Sequence, residues 1–149
     1  MPLIRLIAGR RIIASAAAAV GLMVEAAHIS LAAEPFPFDQ DLMLDAAPMR
    51  PAKRMPTLHV APNGDATVGL WCKTVTARVE VSDAGVKIEP GPLPEALPEM
   101  MGNGQCSAQR MQADQDMLAA LAQVTEWRSQ GSALVLTGPK TFKFRPATN

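Results

Sequence analysis

Between residues 57 and 145, apolar and polar positions alternate in short runs separated by turn-forming residues, which predicts an antiparallel sheet. Residues 57–60 form one such run. Pro62-Asn63-Gly64-Asp65 then predicts a tight turn, because Asn and Gly tolerate positive φ. Residues 66–72 predict the return strand, with Cys72 at its end. In 74–81, Val75, Ala77, Val79 and Val81 alternate with Thr76, Arg78 and Glu80, so one face is buried and the other wet. Asp83-Ala84-Gly85 turns the chain into a further strand at 86–88. Near the end, 133–136 and 141–144 flank Gly138-Pro139 as a hairpin, with Phe142 and Phe144 on one face. Residues 39–45, apolar at their centre, predict an additional first strand.

One segment carries a helical period instead. Ser107 is a suitable N-cap, and Ala113, Met117, Ala120, Leu121, Val124 and Trp127 fall on one stripe, predicting a helix from 107 to about 128. Gln112, Gln115, Asp116, Gln123 and Glu126 face away, and Gly131 is placed to stop the chain after it. The polar face is not basic, so the stripe is read as packing on the sheet, with a partner-binding or membrane-surface helix as the competing reading.

Proline density marks the irregular parts. Residues 46–56 hold Pro48, Pro51 and Pro56 beside Arg50, Lys53 and Arg54, and residues 89–98 hold four prolines and Gly91. Residues 34–38, Glu-Pro-Phe-Pro-Phe, form an extended lead-in, either a mobile tail or a strap anchored by Phe36 and Phe38. The fold class is mainly β (α+β): an antiparallel, barrel-like sheet with one packed helix, following an N-terminal signal peptide.

That signal peptide is read from the start of the chain. Arg5, Arg10 and Arg11 precede an uncharged, mostly apolar run at 12–24, shorter than the roughly 20 residues that cross a bilayer. Cleavage is placed after Ala33, with Ala26 and Ala32 as alternatives; a buried core helix or an uncleaved anchor is the competing reading. The division is then 1–33 signal peptide, 34–56 lead-in and proline-rich loop, and 57–146 domain, with its first strand starting as early as 39. The mature chain is expected to be periplasmic or secreted, by the general or the twin-arginine route, the latter suggested by Arg10-Arg11.

Export changes the charge and the reading of the cysteines. Three of 14 Lys and Arg and one of 14 Asp and Glu lie in 1–33, leaving 11 basic and 13 acidic residues. These are scattered, with no basic stripe, which excludes nucleic acid as a partner. Both cysteines, Cys72 and Cys106, lie in the mature part, and an even count in an exported domain predicts a disulfide between them. Two buried thiols or a redox pair are the alternatives, the latter without a Cys-x-x-Cys to support it.

In order and in motif, the chain resembles the META/HslJ family of small exported bacterial domains. The resemblance rests on the Thr57-Leu58 strand, Asn63-Gly64, and Val68-Gly69-Leu70-Trp71-Cys72. It continues through Cys106, the helix carrying Leu118, Leu121 and Val124, Gly131-x-x-Leu134-x-Leu136 and Phe142-x-Phe144, covering about 39–145. The residues flanking the two cysteines, Trp71 and Lys73 around the first and 100–105 before the second, depart from the usual pattern. The resemblance implies a compact barrel-like sheet with one helix packed on it. It also implies envelope- and stress-related roles without an established enzymatic activity.

Reactive chemistry is sparse. His59 is the one histidine after residue 33, and Gly-x-Ser-x-Gly and phosphate-cradling glycine loops are missing. No catalytic residue, metal site or cofactor is expected; Asp39, Asp41 and Asp45, like Glu95 and Glu99, read as solvated charges. The expected function is a non-enzymatic, monomeric envelope module without a membrane span, binding an envelope protein or a small apolar ligand. Its candidate surface is 89–101, where Leu93, Leu97, Met100 and Met101 are apolar residues on an irregular segment. The same residues folding over an open barrel end is the competing reading. Two other functions remain: a secreted-hydrolase inhibitor presenting 89–101, and a hydrolase using His59.

Overall fold

The computed structural model describes residues 34–148; the predicted signal peptide at 1–33 lies outside the described residues. A meander of five strands comes first: β1 (Leu42–Leu44), β2 (Thr57–Val60), β3 (Asp65–Gly69), β4 (Thr74–Val81) and β5 (Val86–Pro90). Two helices follow, α1 (Pro98–Gly102) and α2 (Ala108–Leu121), and then β6 (Glu126–Gln130), β7 (Ala133–Thr137) and β8 (Thr141–Pro146). All eight strands belong to one antiparallel sheet, in the order β5-β4-β3-β2-β1-β8-β7-β6. β1 is the splice: Leu42 stands opposite Leu58 of β2 and Leu44 opposite Phe144 of β8, so the early meander and the final hairpin become continuous.

The two outer strands curl round until they nearly meet. A bridge joins Gly85 to Glu126, where the Val86 amide donates to the Thr125 carbonyl at 3.0 Å and the Trp127 amide to Ala84 at 2.9 Å. The alternation along each strand turns Leu42, Leu58, Val60, Val68, Leu134, Leu136 and Phe144 inward, and all are buried. Met117, Ala120 and Leu121 of α2 join the same core. Phe36 of the lead-in is buried too, its ring 4.8 Å from Phe38 and 5.1 Å edge-on from Trp127. The lead-in is therefore a strap.

Turn chemistry holds where it was most specific. Gly64 sits at φ +87°, and a Cβ there would stand 2.6 Å from the Val79 carbonyl oxygen, so glycine is required by both conformation and space. Four expectations need correction. The helix stops at Leu121 rather than about 128, because the chain gains more by pairing with β7: Thr125 donates to Thr137 at 3.0 Å, and Trp127 stands opposite Leu136. Gly131, at φ +60°, turns the β6–β7 hairpin instead of capping the helix. The strand predicted at 66–72 ends at Gly69, where Leu70 donates back to Lys73 at 2.7 Å and closes a turn. The 89–98 segment is partly regular: Glu89 and Pro90 extend β5, and Pro98 opens α1, where its missing N–H costs nothing.

Candidate functional site

The most constrained chemistry in the fold surrounds the cysteines. Cys72 and Cys106 form a disulfide, and both are buried. Ser107 caps α2 by accepting from the Arg110 amide at 3.3 Å, which starts the helix directly after Cys106. One turn in, the helix turns two charged side chains inward, Arg110 and Asp114, each about 1% exposed or less.

Each is satisfied by backbone rather than by an opposite charge. Asp114 accepts from the amides of Cys72 at 3.0 Å and Lys73 at 2.9 Å. Arg110 donates to the carbonyls of Gln105 at 2.8 Å and Met49 at 2.7 Å, to Ala52 at 3.4 Å, and to Trp71. Arg54 adds a second guanidinium from the proline-rich loop, reaching Leu70 at 3.0 Å, Lys73 at 2.9 Å and the Thr74 hydroxyl at 2.6 Å. Burial pushes the Asp114 carboxyl above its ordinary range, against the pull of the Cys72, Lys73 and Trp71 amides. Burial likewise lowers Arg110, with Asp114 opposing and Arg54 reinforcing the shift. This cluster is a clamp joining three segments: the turn at 70–73, the start of α2, and the loop at 49–54. It was not anticipated from the sequence, although Arg110 and Asp114 continue the stripe of Met117 and Leu121 at helical spacing.

The other residues singled out in the sequence are dispersed. His59 Nδ1 lies 3.1 Å from an Asp41 carboxylate oxygen in an exposed pair beside the β1–β2 ladder. Asp45 pairs with Arg145 at 3.0 Å, so these acids are spoken for at the surface. In the 89–101 segment the four apolar residues divide. Leu93 packs against the core and Met100 is half-buried, whereas Leu97 and Met101 are 54% and 52% exposed, the two exposed large hydrophobics among the described residues. Among the described residues no group of three or more His, Cys, Asp or Glu converges, and no helix is long and apolar enough to cross a membrane.

A concavity that the sequence reading did not propose lies between the barrel's outer wall and the proline-rich loop. It measures about 890 Å³, within the range of small-ligand sites. Its wall is Met43 and Leu44 of β1, its loop side includes Ala46, Pro48 and Met55, and its charged lining is Arg50, Lys53 and Arg145. Met43 is the telling residue. Leu42 and Leu44 point into the core, so Met43 points out, beside Arg145 and Thr57 in register. A polar side chain is the ordinary occupant of such a position.

The family model for the META domain matches residues 40–148. This chain belongs to the META domain family. Among solved structures, one described as "NMR structure of the protein" superposes with a TM-score of 0.52, covering 72% of this chain and 89% of its own at 13% identity. That likeness is one of fold alone. No curated protein matches the chain. In this META domain the clamp and the disulfide are the supports beneath the loop, and the cleft and the Leu97–Met101 edge are the surfaces they present.

Proposed function

We propose that this META domain is exported and serves in the periplasm or outside the cell as a non-enzymatic, stress- or envelope-associated module that binds a small apolar ligand or a protein. The observation that carries the binding reading is the outer-wall cleft, where an outward-facing methionine and a proline-rich loop enclose an apolar surface beside a row of cations. The buried disulfide is consistent with an oxidising compartment. His59, paired with Asp41 on an exposed strand face, is not among the cleft lining, so the binding reading does not depend on it.

The test is an intact and native mass spectrum of the chain exported by a bacterial host. The expected mass begins at Glu34, gains two alkyl groups only after reduction, and carries an additional bound species under native conditions. A retained leader, or thiols that alkylate without reductant, would sink the exported-domain reading; a bare native mass would count against ligand carriage.

A protein-binding role for 89–101 has its own support in the exposure of Leu97 and Met101 at either end of α1. The same edge would serve an inhibitor of a secreted hydrolase, because prolines lower the cost of ordering a presented loop. Changing both residues to Ser should leave the thermal midpoint within about 2 °C of wild type, because exposed side chains contribute little to stability, while abolishing capture of the partner. A large drop in midpoint would show instead that the two side chains cap the barrel.

A further inference from the structure

We propose that the outer-wall cleft is a site for a single long-chain carboxylate, a free fatty acid whose tail lies along Met43 and Met55 and whose head is held by Arg50 and Lys53. This rests on the binding-module reading above and gives its ligand a chemical class.

Three observations converge. The first is polarity. Apolar surface dominates the cleft, its charged lining is cationic throughout, and no acidic residue lines it. Arg145 is neutralised by Asp45, whereas Arg50 and Lys53 make no ion pair among the described residues. An apolar trough with two uncommitted cations at its rim matches an amphiphile bearing one anionic head and one tail, and discriminates against neutral or cationic amphiphiles.

The second is preorganisation. A loop with prolines at 48, 51 and 56 is stiff, and its shape is further set from beneath. Buried Arg110 holds the Met49 and Ala52 carbonyls, one on each side of Arg50 and Pro51. Arg54 ties the next part of the loop to Leu70, Lys73 and Thr74. With the backbone on either side of Arg50 captured inward, the cleft exists before any ligand arrives, and little ordering cost attends binding. The third is placement. The floor is the outside of a hydrogen-bonded strand pair, β1 with β8, which is rigid and carries an apolar residue where the barrel pattern calls for a polar one.

The experiment titrates the mature, disulfide-intact protein with hexadecanoate, with its methyl ester, and with vesicles of phosphatidylethanolamine and phosphatidylglycerol. Native mass spectrometry and displacement of a fluorescent acyl probe supply the readouts. Hexadecanoate is expected to bind one to one, with the methyl ester weaker by about tenfold or more, since the ester lacks the charge. Arg50→Glu with Lys53→Glu, both exposed and without an ion pair among the described residues, should weaken hexadecanoate by at least about tenfold at an unchanged thermal midpoint. Met43→Glu should abolish binding, and Leu97→Ser with Met101→Ser should leave it untouched. Equal affinity for acid and ester, retention after the double charge reversal, or association with vesicles but not with the free acid would each overturn the proposal. A different species found on the exported protein while hexadecanoate fails would overturn this assignment and leave the binding-module reading standing.

Discussion

Asp114→Ala should destabilise the fold by about 3–5 kcal/mol, measured by urea unfolding at neutral pH, a large fraction of the roughly 5–15 kcal/mol that holds a domain of this size together. The carboxylate is fully buried and receives two backbone amides, from Cys72 and Lys73. Removing it leaves those amides without acceptors, each unsatisfied group costing about 1–3 kcal/mol. It also leaves the buried Arg110 guanidinium without the nearby negative charge that favours its ionised form. Asp114→Asn should lose less, since an amide oxygen still serves one of the two donors while its NH₂ opposes the other. Arg110→Ala belongs to the same class: it strands carbonyls in three separate segments and frees the 49–52 loop.

The Asp114 contribution also has a defined pH dependence. Burial raises its carboxyl pKa in the folded state above the unfolded value of about 3.9. In the window between the two values the native state holds a proton that the unfolded chain has released, so stability falls as pH rises through that window. The margin of wild type over Asp114→Asn should therefore be widest below about pH 4, narrow as pH rises, and level off once the buried carboxyl has ionised. A margin that instead widens with pH would mean that the amides of Cys72 and Lys73 outweigh burial in setting this pKa.

These charges explain what sequence reading reached and what it missed. Strands were legible where one face is wet and the turns are chemically specific: Val75 to Val81 alternate visibly, and Asn63-Gly64 permits few other conformations. β6 was hidden because Val124 and Trp127 extend the helical stripe of Met117 and Leu121, and no Gly or Pro stands at the helix end, where Ala122 remains in the α region. What ends α2 there is non-local. Gly138 lies so close to the 123–124 backbone that a Cβ would meet the Gln123 oxygen at 2.6 Å, and β7 supplies the partner for the chain that follows. Arg110 and Asp114 escaped because a charged residue on an apolar stripe is ordinarily read as its edge. Here both reach backbone groups of segments distant in sequence, at 49–52 and 71–73, and such partners become visible only when the chain is folded. The cleft was missed for a related reason. Its wall and roof come from β1, β8 and a loop that looks featureless alone, whereas the 89–101 segment advertised itself by local apolar content and then divided, Leu93 going to the core and Leu97 to solvent.

Replacing both cysteines by Ala should cost about 3–4 kcal/mol, from the 34-residue separation that the bridge closes. Because both half-cystines are buried, reductant reaches the bond only when the fold opens. The rate of thiol appearance under reducing conditions should therefore follow the unfolding equilibrium and accelerate in Asp114→Ala. The two changes should not add. The bridge and the clamp tie the same pieces together: Cys72 to Cys106 through sulfur, and Trp71, Cys72 and Lys73 to α2 through Arg110 and Asp114. Groups that share partners in this way couple by about 0.5–3 kcal/mol. The expected sign follows from geometry. With the bridge intact, the 71–73 turn stays near the helix when Asp114 is lost, and the freed amides remain buried and unsatisfied. Without the bridge, the turn can move away and find water, so Asp114→Ala should cost less in the cysteine-free background than in wild type. A double-mutant cycle in urea decides this. Strict additivity would show that the clamp and the bridge stabilise separate parts of the barrel, and a greater cost without the bridge would show that Asp114 alone can hold the turn in place.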